Sequence, residues 1–166
     1  WESLVALVYV SHFVAPWAIV GILYVKNREL WAKFARRVIT ISFAALITYI
    51  LIPAAPPWYA AREGLCEPVV RIATRGWEII GLPIAGQIIS LGQGVVNQVA
   101  AIPSLHAGMA VTITLFFWAR VGLKMKAFLT FYVALMFFAL VFGGEHYIFD
   151  AILGAIYAIA VEFGCR

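Results

Sequence analysis

The sequence predicts an all-α integral membrane protein in which a bundle of five helices crosses the bilayer. Of its 166 residues, 64% are hydrophobic and 12% are charged, and the mean hydropathy is +0.97. Soluble globular domains are about half apolar and about a quarter charged. A soluble fold, a disordered chain and a nucleic-acid-binding protein are therefore all excluded, since none of them carries so much apolar surface in water.

Five apolar stretches are long enough to span a bilayer, where about 20 residues form one helical span. They cover residues 3–25, 38–55, 103–121, 127–142 and 147–163. None alternates in polarity, as the strands of a membrane barrel do. We therefore expect one transmembrane domain over residues 1–166.

The positions of the basic residues predict the orientation of the bundle. Nine of the twelve Lys and Arg residues fall on one side of the predicted spans: Lys26, Arg28, Lys33, Arg36, Arg37, Arg120, Lys124, Lys126 and Arg166. The positive-inside rule makes that side cytoplasmic. The loop over residues 54–102 and the turn over residues 143–146 then lie outside.

A loop of that length without structure is improbable in a small domain, so we expect it to fold back on the membrane. Pro68 suits the first position of a helix, and the spacing of Ile72, Trp77 and Ile80 is amphipathic. This predicts an interfacial helix that ends at residues 81–83, and a second short one over residues 84–91. Cys66 and Cys165 fall on opposite sides, so no disulfide is expected.

Ionisable residues at membrane depth are functional candidates by default. His106 begins the third span and His146 begins the fifth, so both lie at the outer side. Asp150 follows His146 by four residues, which places both side chains on one helical face. The arginines of the outer loop face the same side. These residues predict an anion-binding pocket with two imidazoles and a carboxylate.

Phosphoryl transfer through histidine needs such a set of groups. A neutral imidazole attacks phosphorus, a carboxylate orients that imidazole, and a second histidine protonates the leaving oxygen. Arg62, Arg71 and Arg75 are the candidates for holding the phosphate oxygens. The segment from Asn97 to the helix start adds backbone N–H groups, and Ser104 adds a hydroxyl donor.

Two segments resemble the second and third signature motifs of the phosphatidic acid phosphatase type 2 superfamily. They are Pro103-Ser104-Leu105-His106-Ala107-Gly108 and Gly144-Glu145-His146-Tyr147-Ile148-Phe149-Asp150. Residues 54–58 and 99–101 are most similar to the branch that contains inositolphosphorylceramide synthases. The resemblance implies a six-helix core, and therefore a helix before Trp1.

The resemblance also implies a phosphohistidine mechanism that needs no metal and no cofactor. In that mechanism His146 is the nucleophile, Asp150 is its partner and His106 is the acid. The chain departs from the family pattern where a Ser-Arg pair precedes the nucleophile, because Ala139 and Leu140 stand there. A lysine and Arg-Pro motif of the family has no clear match either. The phosphate must then be held by outer-loop arginines.

Two further residues are candidates for substrate binding. His12 lies in the first span and either contacts substrate or is a structural histidine bonded inside the bundle. Glu145 either activates an acceptor hydroxyl or is a solvated turn residue. The tryptophans at positions 1, 58 and 77 are interpreted as interface anchors.

The sequence thus predicts a multi-pass membrane enzyme with its site on the extracytoplasmic side. It cleaves a lipid phosphate ester or diester and passes the phosphoryl group or phospho-headgroup, such as inositol phosphate, to water or an alcohol. The expected partners are a lipid phosphate, a lipid or polyol acceptor and membrane lipids, with no nucleic acid.

Four alternatives remain open. Two histidines and a carboxylate could hold zinc or iron, and His12 with a histidine of another span could bind haem. The outer histidines could also relay protons in a transporter. Ser104 with His146 would suit an intramembrane serine protease.

Overall fold

The computed structural model describes residues 1–95 and 97–165, and within them it forms eight helices. They are α1 (Glu2–Lys26), α2 (Arg28–Leu51), α3 (Pro57–Arg62), α4 (Ile72–Ile79), α5 (Pro83–Val95), α6 (Leu105–Trp118), α7 (Leu123–Phe142) and α8 (Ile148–Gly164). By length and composition, α1, α2 and α7 can cross a membrane. The predicted all-α membrane fold is confirmed. Arg166, which contributes to the predicted orientation, lies outside the described residues.

The first two long helices are separated by a single residue. Asn27 ends α1, and its side chain accepts a hydrogen bond of 3.0 Å from the backbone N–H of Leu30. This cap starts α2 at Arg28, well before the predicted start at residue 38. Further along the charged part of α2, Arg37, 4% exposed, bonds to Glu162 of α8 with 2.7 Å between Nε and Oε2.

The start of α6 is tied to the start of α8 by close backbone packing. The Ser104 N–H donates to the Asp150 carbonyl at 2.9 Å. A Cβ on Gly154 would lie 2.2 Å from the Ser104 carbonyl oxygen, and one on Gly108 would lie 3.1 Å from the Gly154 carbonyl oxygen. The two glycines therefore allow α6 and α8 to approach closely at the end of the bundle where the outer loop lies, here called the loop end.

The outer loop closes at its base and contains three helices. The Ala54 N–H donates to the Val99 carbonyl at 2.7 Å, and the Ala101 N–H donates to the Ala54 carbonyl at 3.2 Å. Both expected interfacial helices are present as α4 and α5, whereas α3 was not predicted. Helix α4 begins at Ile72 rather than near Pro68, because the Ile72 N–H donates to the Gly143 carbonyl at 3.3 Å.

Buried apolar residues form a core directly beneath the loop end. Val5 and Tyr9 of α1 pack in it with Ala107 of α6 and Leu140 of α7. Ile72 and Ala73 of α4 join the same cluster, so the outer loop shares the core of the bundle. A second cluster around Phe34 and Phe116 fills the opposite end.

Candidate active site

A cavity of about 690 Å³ lies at the loop end. Its walls come from α1, α2, α5, α6 and the turn before α8, together with the base of the outer loop. Three histidines, His12, His106 and His146, contribute to these walls. The described structure therefore brings together side chains that lie far apart in the sequence.

His146 and Asp150 form a buried pair at the start of α8. The His146 Nδ1 lies 3.3 Å from Asp150 Oδ2, and the two residues are 8% and 1% exposed. The same Oδ2 accepts a hydrogen bond of 2.9 Å from the Tyr147 backbone N–H. This carboxylate thus caps the helix and orients the imidazole at once, which favours the tautomer with a proton on Nδ1. The other ring nitrogen is then left to act on a ligand.

His106 faces the cavity from the first turn of α6. Its ring centroid lies 5.8 Å from that of His146, so both rings can contact one phosphate group. Tyr9 stacks on the His106 ring at 4.5 Å, and Phe13 meets it edge-on at 5.4 Å. These contacts fix the ring plane. The His106 Nε2 is buried and has no hydrogen-bond partner within the described residues, so its hydrogen-bonding capacity is unused.

His12 packs against His106 with 4.0 Å between ring centroids. Its Nδ1 is also buried without a partner among the residues that the structure describes. An unpartnered buried nitrogen costs free energy, which a polar ligand in the cavity would offset. This placement suits the predicted substrate contact.

Arg71 and Glu145 form a bidentate ion pair in the cavity wall. The Nε–Oε1 and Nη2–Oε2 distances are 3.0 and 2.7 Å. The Arg71 guanidinium lies 4.1 Å from the ring centroid of Trp58, and its side chain is 24% exposed. Glu145 directly precedes His146. A planar guanidinium held by Glu145 along one edge and by Trp58 on one face, beside the nucleophile candidate, is well placed to bind phosphate oxygens.

The segment that contains Arg71 packs closely against the turn before His146. Gly144 has a φ of +73°, and a Cβ there would lie 2.5 Å from the Val69 side chain. Only glycine suits this backbone conformation together with this close approach. With the bond from Ile72 to Gly143, the contact holds the loop and the turn as one unit.

The structure places the other two candidate arginines away from the cavity walls. Arg62 bonds to Glu63 and to Gln98 at 3.2 and 3.0 Å and lies 4.4 Å above the Tyr59 ring. Arg75 bonds through two nitrogens to Glu2, which raises the pKa of its guanidinium. Of the three arginines, Arg71 lies beside His146.

Ser104 and Asn97 flank the cavity in different ways. Ser104 is fully buried, and its hydroxyl accepts a hydrogen bond of 3.4 Å from the Ala107 N–H, so it caps α6. Asn97 lines the cavity, with its Oδ1 accepting a hydrogen bond of 3.1 Å from Val99 N–H. Asn97 is thus the one of the two that a ligand can reach directly.

Sequence reasoning missed several residues of the cavity wall, among them Tyr49, Trp58 and Gln98. The Tyr49 hydroxyl donates to the Pro103 carbonyl at 2.8 Å and so holds the loop before α6. Trp58 was interpreted as an interface anchor. The Pro56-Pro57 pair immediately before it was a usable signal, because it starts α3 and turns the chain back over the site.

Across residues 1–95 and 97–165, no three His, Cys, Asp or Glu side chains lie together in an arrangement that could hold a metal ion.

The chain is similar to known proteins over most of its length. A sequence model of the PAP2 superfamily matches residues 2–162. The phosphoinositol dihydroceramide synthase of Bacteroides thetaiotaomicron is 30% identical over 163 residues, which cover 90% of this chain and 52% of that protein. The chain thus spans about half the length of the curated relative it matches. No solved structure matches. The match over nearly the whole chain shows that this multi-pass membrane protein belongs to the PAP2 superfamily.

Proposed function

We propose that this protein transfers a phospho-headgroup, inositol phosphate in the simplest case, from a lipid phosphodiester to the hydroxyl of a second lipid. The observation that carries the proposal is the buried His146–Asp150 pair, which faces His106 across 5.8 Å between ring centroids. Membership of the superfamily supports an enzyme that acts on lipid phosphates. The activity named for the similar synthase supports headgroup transfer over plain hydrolysis.

In the first step, the free ring nitrogen of His146 attacks phosphorus. The bond between phosphorus and the oxygen of the lipid alcohol breaks, and that oxygen takes the proton from His106. Asp150 keeps its hydrogen bond to Nδ1–H and stabilises the positive charge that develops on the ring. The products are a free lipid alcohol and a phosphohistidine that still carries the headgroup.

In the second step, a hydroxyl of the acceptor lipid attacks the phosphohistidine. Its proton passes to His106, its oxygen bonds to phosphorus, and the bond from phosphorus to the His146 nitrogen breaks. The second step thus returns the proton to His106 and the electron pair to the His146 ring nitrogen. Water can replace the lipid hydroxyl, in which case the same groups perform hydrolysis.

Arg71 binds the nonbridging oxygens of the phosphate in both steps. It stands in for the family arginine that is missing at Leu140, and it reaches the site from the outer loop. Asn97, with the nearby Gln98, offers amide groups to a polyol headgroup from the same cavity wall. His12 supplies a further polar contact through its unpartnered nitrogen.

The positive-inside pattern supports a site on the extracytoplasmic side, at the level of the lipid head groups. Trp58 and the loop helices α3 to α5 then lie at the outer interface.

The proposal is tested with purified protein in mixed micelles that contain a panel of lipid phosphates and a ceramide-type acceptor. Product analysis by mass should show the phospho-headgroup on the acceptor and the free diacylglycerol from the donor. Release of inorganic phosphate from a monoester alone would make the protein a phosphatase. Absence of any lipid product, with protein that remains folded, would contradict the proposal.

A further inference from the structure

The cavity has a polar pole and an apolar pole, with the two histidines between them. At the polar pole, Arg71 pairs with Glu145, the residue directly before His146. At the other pole, Phe13 of α1 touches the His106 ring. Val10 of α1 and Ile89 and Gly92 of α5 also line the cavity, and these four residues are here called the apolar mouth. Two ring contacts give the order of these groups along the cavity. Phe13 touches His106, and His106 faces His146.

The apolar mouth opens toward surfaces that suit the hydrocarbon phase. Phe13 is 51% exposed, although it touches the His106 ring. Helix α5, which contributes Ile89 and Gly92 to the cavity wall, exposes Ile84, Ile88 and Leu91, which are spaced by four and three residues and so form one face of the helix. An interfacial helix of this kind lies with its apolar face in the membrane. Both helices that form the mouth therefore expose apolar side chains, which favours contact with lipid over contact with water.

The geometry of the reaction decides which group the mouth receives. In an in-line displacement the leaving oxygen lies opposite the attacking nitrogen. If His146 attacks and His106 protonates, the leaving oxygen lies on the His106 side, and whatever it carries must extend past Phe13. We propose that the apolar mouth binds the acyl chain of the lipid whose oxygen leaves phosphorus in the first step. This inference rests on the proposed function.

The same position serves the second substrate. The attacking hydroxyl of the acceptor must approach the phosphohistidine opposite the His146 nitrogen, where the first alcohol has just departed. One apolar mouth thus takes the chain of the product and then the chain of the acceptor. The headgroup stays at the polar pole throughout, which explains how a single cavity handles two lipids in turn.

A second cavity of about 800 Å³ is the competing location for the chain. It also touches His146, and its walls include Val69, Phe142 and Phe149. His106 is not in these walls. A chain in this cavity would place the leaving oxygen away from the proton donor, so the in-line geometry disfavours it.

The first test uses two glycines of α5 as a matched pair. A Cβ on Gly92 or on Gly94 meets nothing within 4 Å, so Gly92→Leu and Gly94→Leu change helix propensity equally without a backbone clash. Gly92 lines the mouth, whereas Gly94 is exposed outside it.

The measurement is kcat/KM for a long-chain donor and for its short-chain analogue. Gly92→Leu should lower the long-chain value about tenfold more than the short-chain value, because it fills space that several methylene groups need. Gly94→Leu should leave the ratio of the two values unchanged. Equal ratios in both variants would overturn the assignment.

The second test needs no turnover. A long-chain phosphonate with a diazirine near the end of its acyl chain is photolysed in the unmodified protein, and its adducts are mapped by mass. Adducts on residues 10–13 or on α5 support the apolar mouth. Adducts on residues 69–72 or 147–149, or no specific adduct, would overturn it. If the protein transfers no headgroup, the proposed function fails, while these adducts still report where the chain binds.

Discussion

Gly154 of α8 lies so close to Ser104 of α6 that a Cβ on the glycine would stand 2.2 Å from the serine carbonyl oxygen. Ser104 caps α6, which carries His106, while Gly154 lies one turn beyond Asp150 in α8. The contact therefore sets the separation between the two catalytic histidine candidates. Packing between α6 and α8 thus helps to determine the geometry of the candidate active site.

Gly154→Ala should both destabilise the protein and reduce its activity. The methyl group must push α8 away from α6, and overpacking of this kind costs about 1 to 3 kcal/mol. Thermal unfolding in detergent and headgroup transfer should both report the change. Gly21→Ala is the matched control, because a Cβ there meets nothing within 4 Å. A Gly154→Ala variant as stable and active as the control would show that the close contact is not needed.

Arg71→Ala should remove one charge-assisted phosphate contact near the nucleophile. We expect a loss of about 2 to 4 kcal/mol in transition-state stabilisation, or roughly 30- to 1000-fold in kcat/KM. Arg71→Lys should recover little, since an ammonium cannot reproduce the bidentate geometry.

Arg62→Ala and Arg75→Ala serve as comparisons, because the structure places both guanidinium groups on other partners. Each of these two substitutions should lower kcat/KM much less than Arg71→Ala does. If all three single variants and the Arg62→Ala/Arg71→Ala double variant kept full activity, the outer loop would not hold the phosphate.

His106→Ala should produce a defect that depends on the leaving group. An alkoxide needs a proton as it departs, whereas a nitrophenolate leaves well without one. The variant should therefore lose most of its activity on lipid esters and much less on an aryl phosphate. Assays of both substrates with the same preparation make this comparison. An equal loss on both would remove His106 from the role of proton donor.

Asp150→Asn should preserve α8 but weaken His146. The asparagine oxygen can still accept the Tyr147 N–H, so the helix cap is retained. It no longer stabilises a positive imidazole, and in another imidazole enzyme a comparable change lowers kcat by about 10⁴. We expect a loss of about 10² to 10⁴ in kcat with unchanged helix content by circular dichroism. Retention of near-normal kcat would refute the orienting role.

Hydrophobic patterning was sufficient to predict the five apolar helices and the helical character of the outer loop. It missed the true start of α2, because Asn27 caps that helix and the buried Arg37 pairs with Glu162 of α8. Neither interaction changes local hydropathy. It also missed α3, which depends on Pro57 at a first helical position and not on any amphipathic spacing.

For the site, the spacing of His146 and Asp150 and the matched depths of the histidines were readable from the chain. The sequence did not show which arginine lies beside them, because the three arginines of the outer loop were equivalent candidates. That answer depends on the contact between Gly144 and Val69, which brings residue 71 over the turn. The stacking of Trp58 on Arg71 is likewise a tertiary feature that no local pattern specifies.

The most direct test of the central claim is to map the covalent intermediate. The protein is mixed with a headgroup-labelled lipid donor in the presence of a chelator, quenched with alkali and digested for mass analysis. Our account predicts an acid-labile, alkali-stable phosphoramidate on His146 that is absent in His146→Ala and insensitive to the chelator. A covalent adduct on His106 that persists in His146→Ala, or activity that one divalent metal alone restores after chelation, would contradict it.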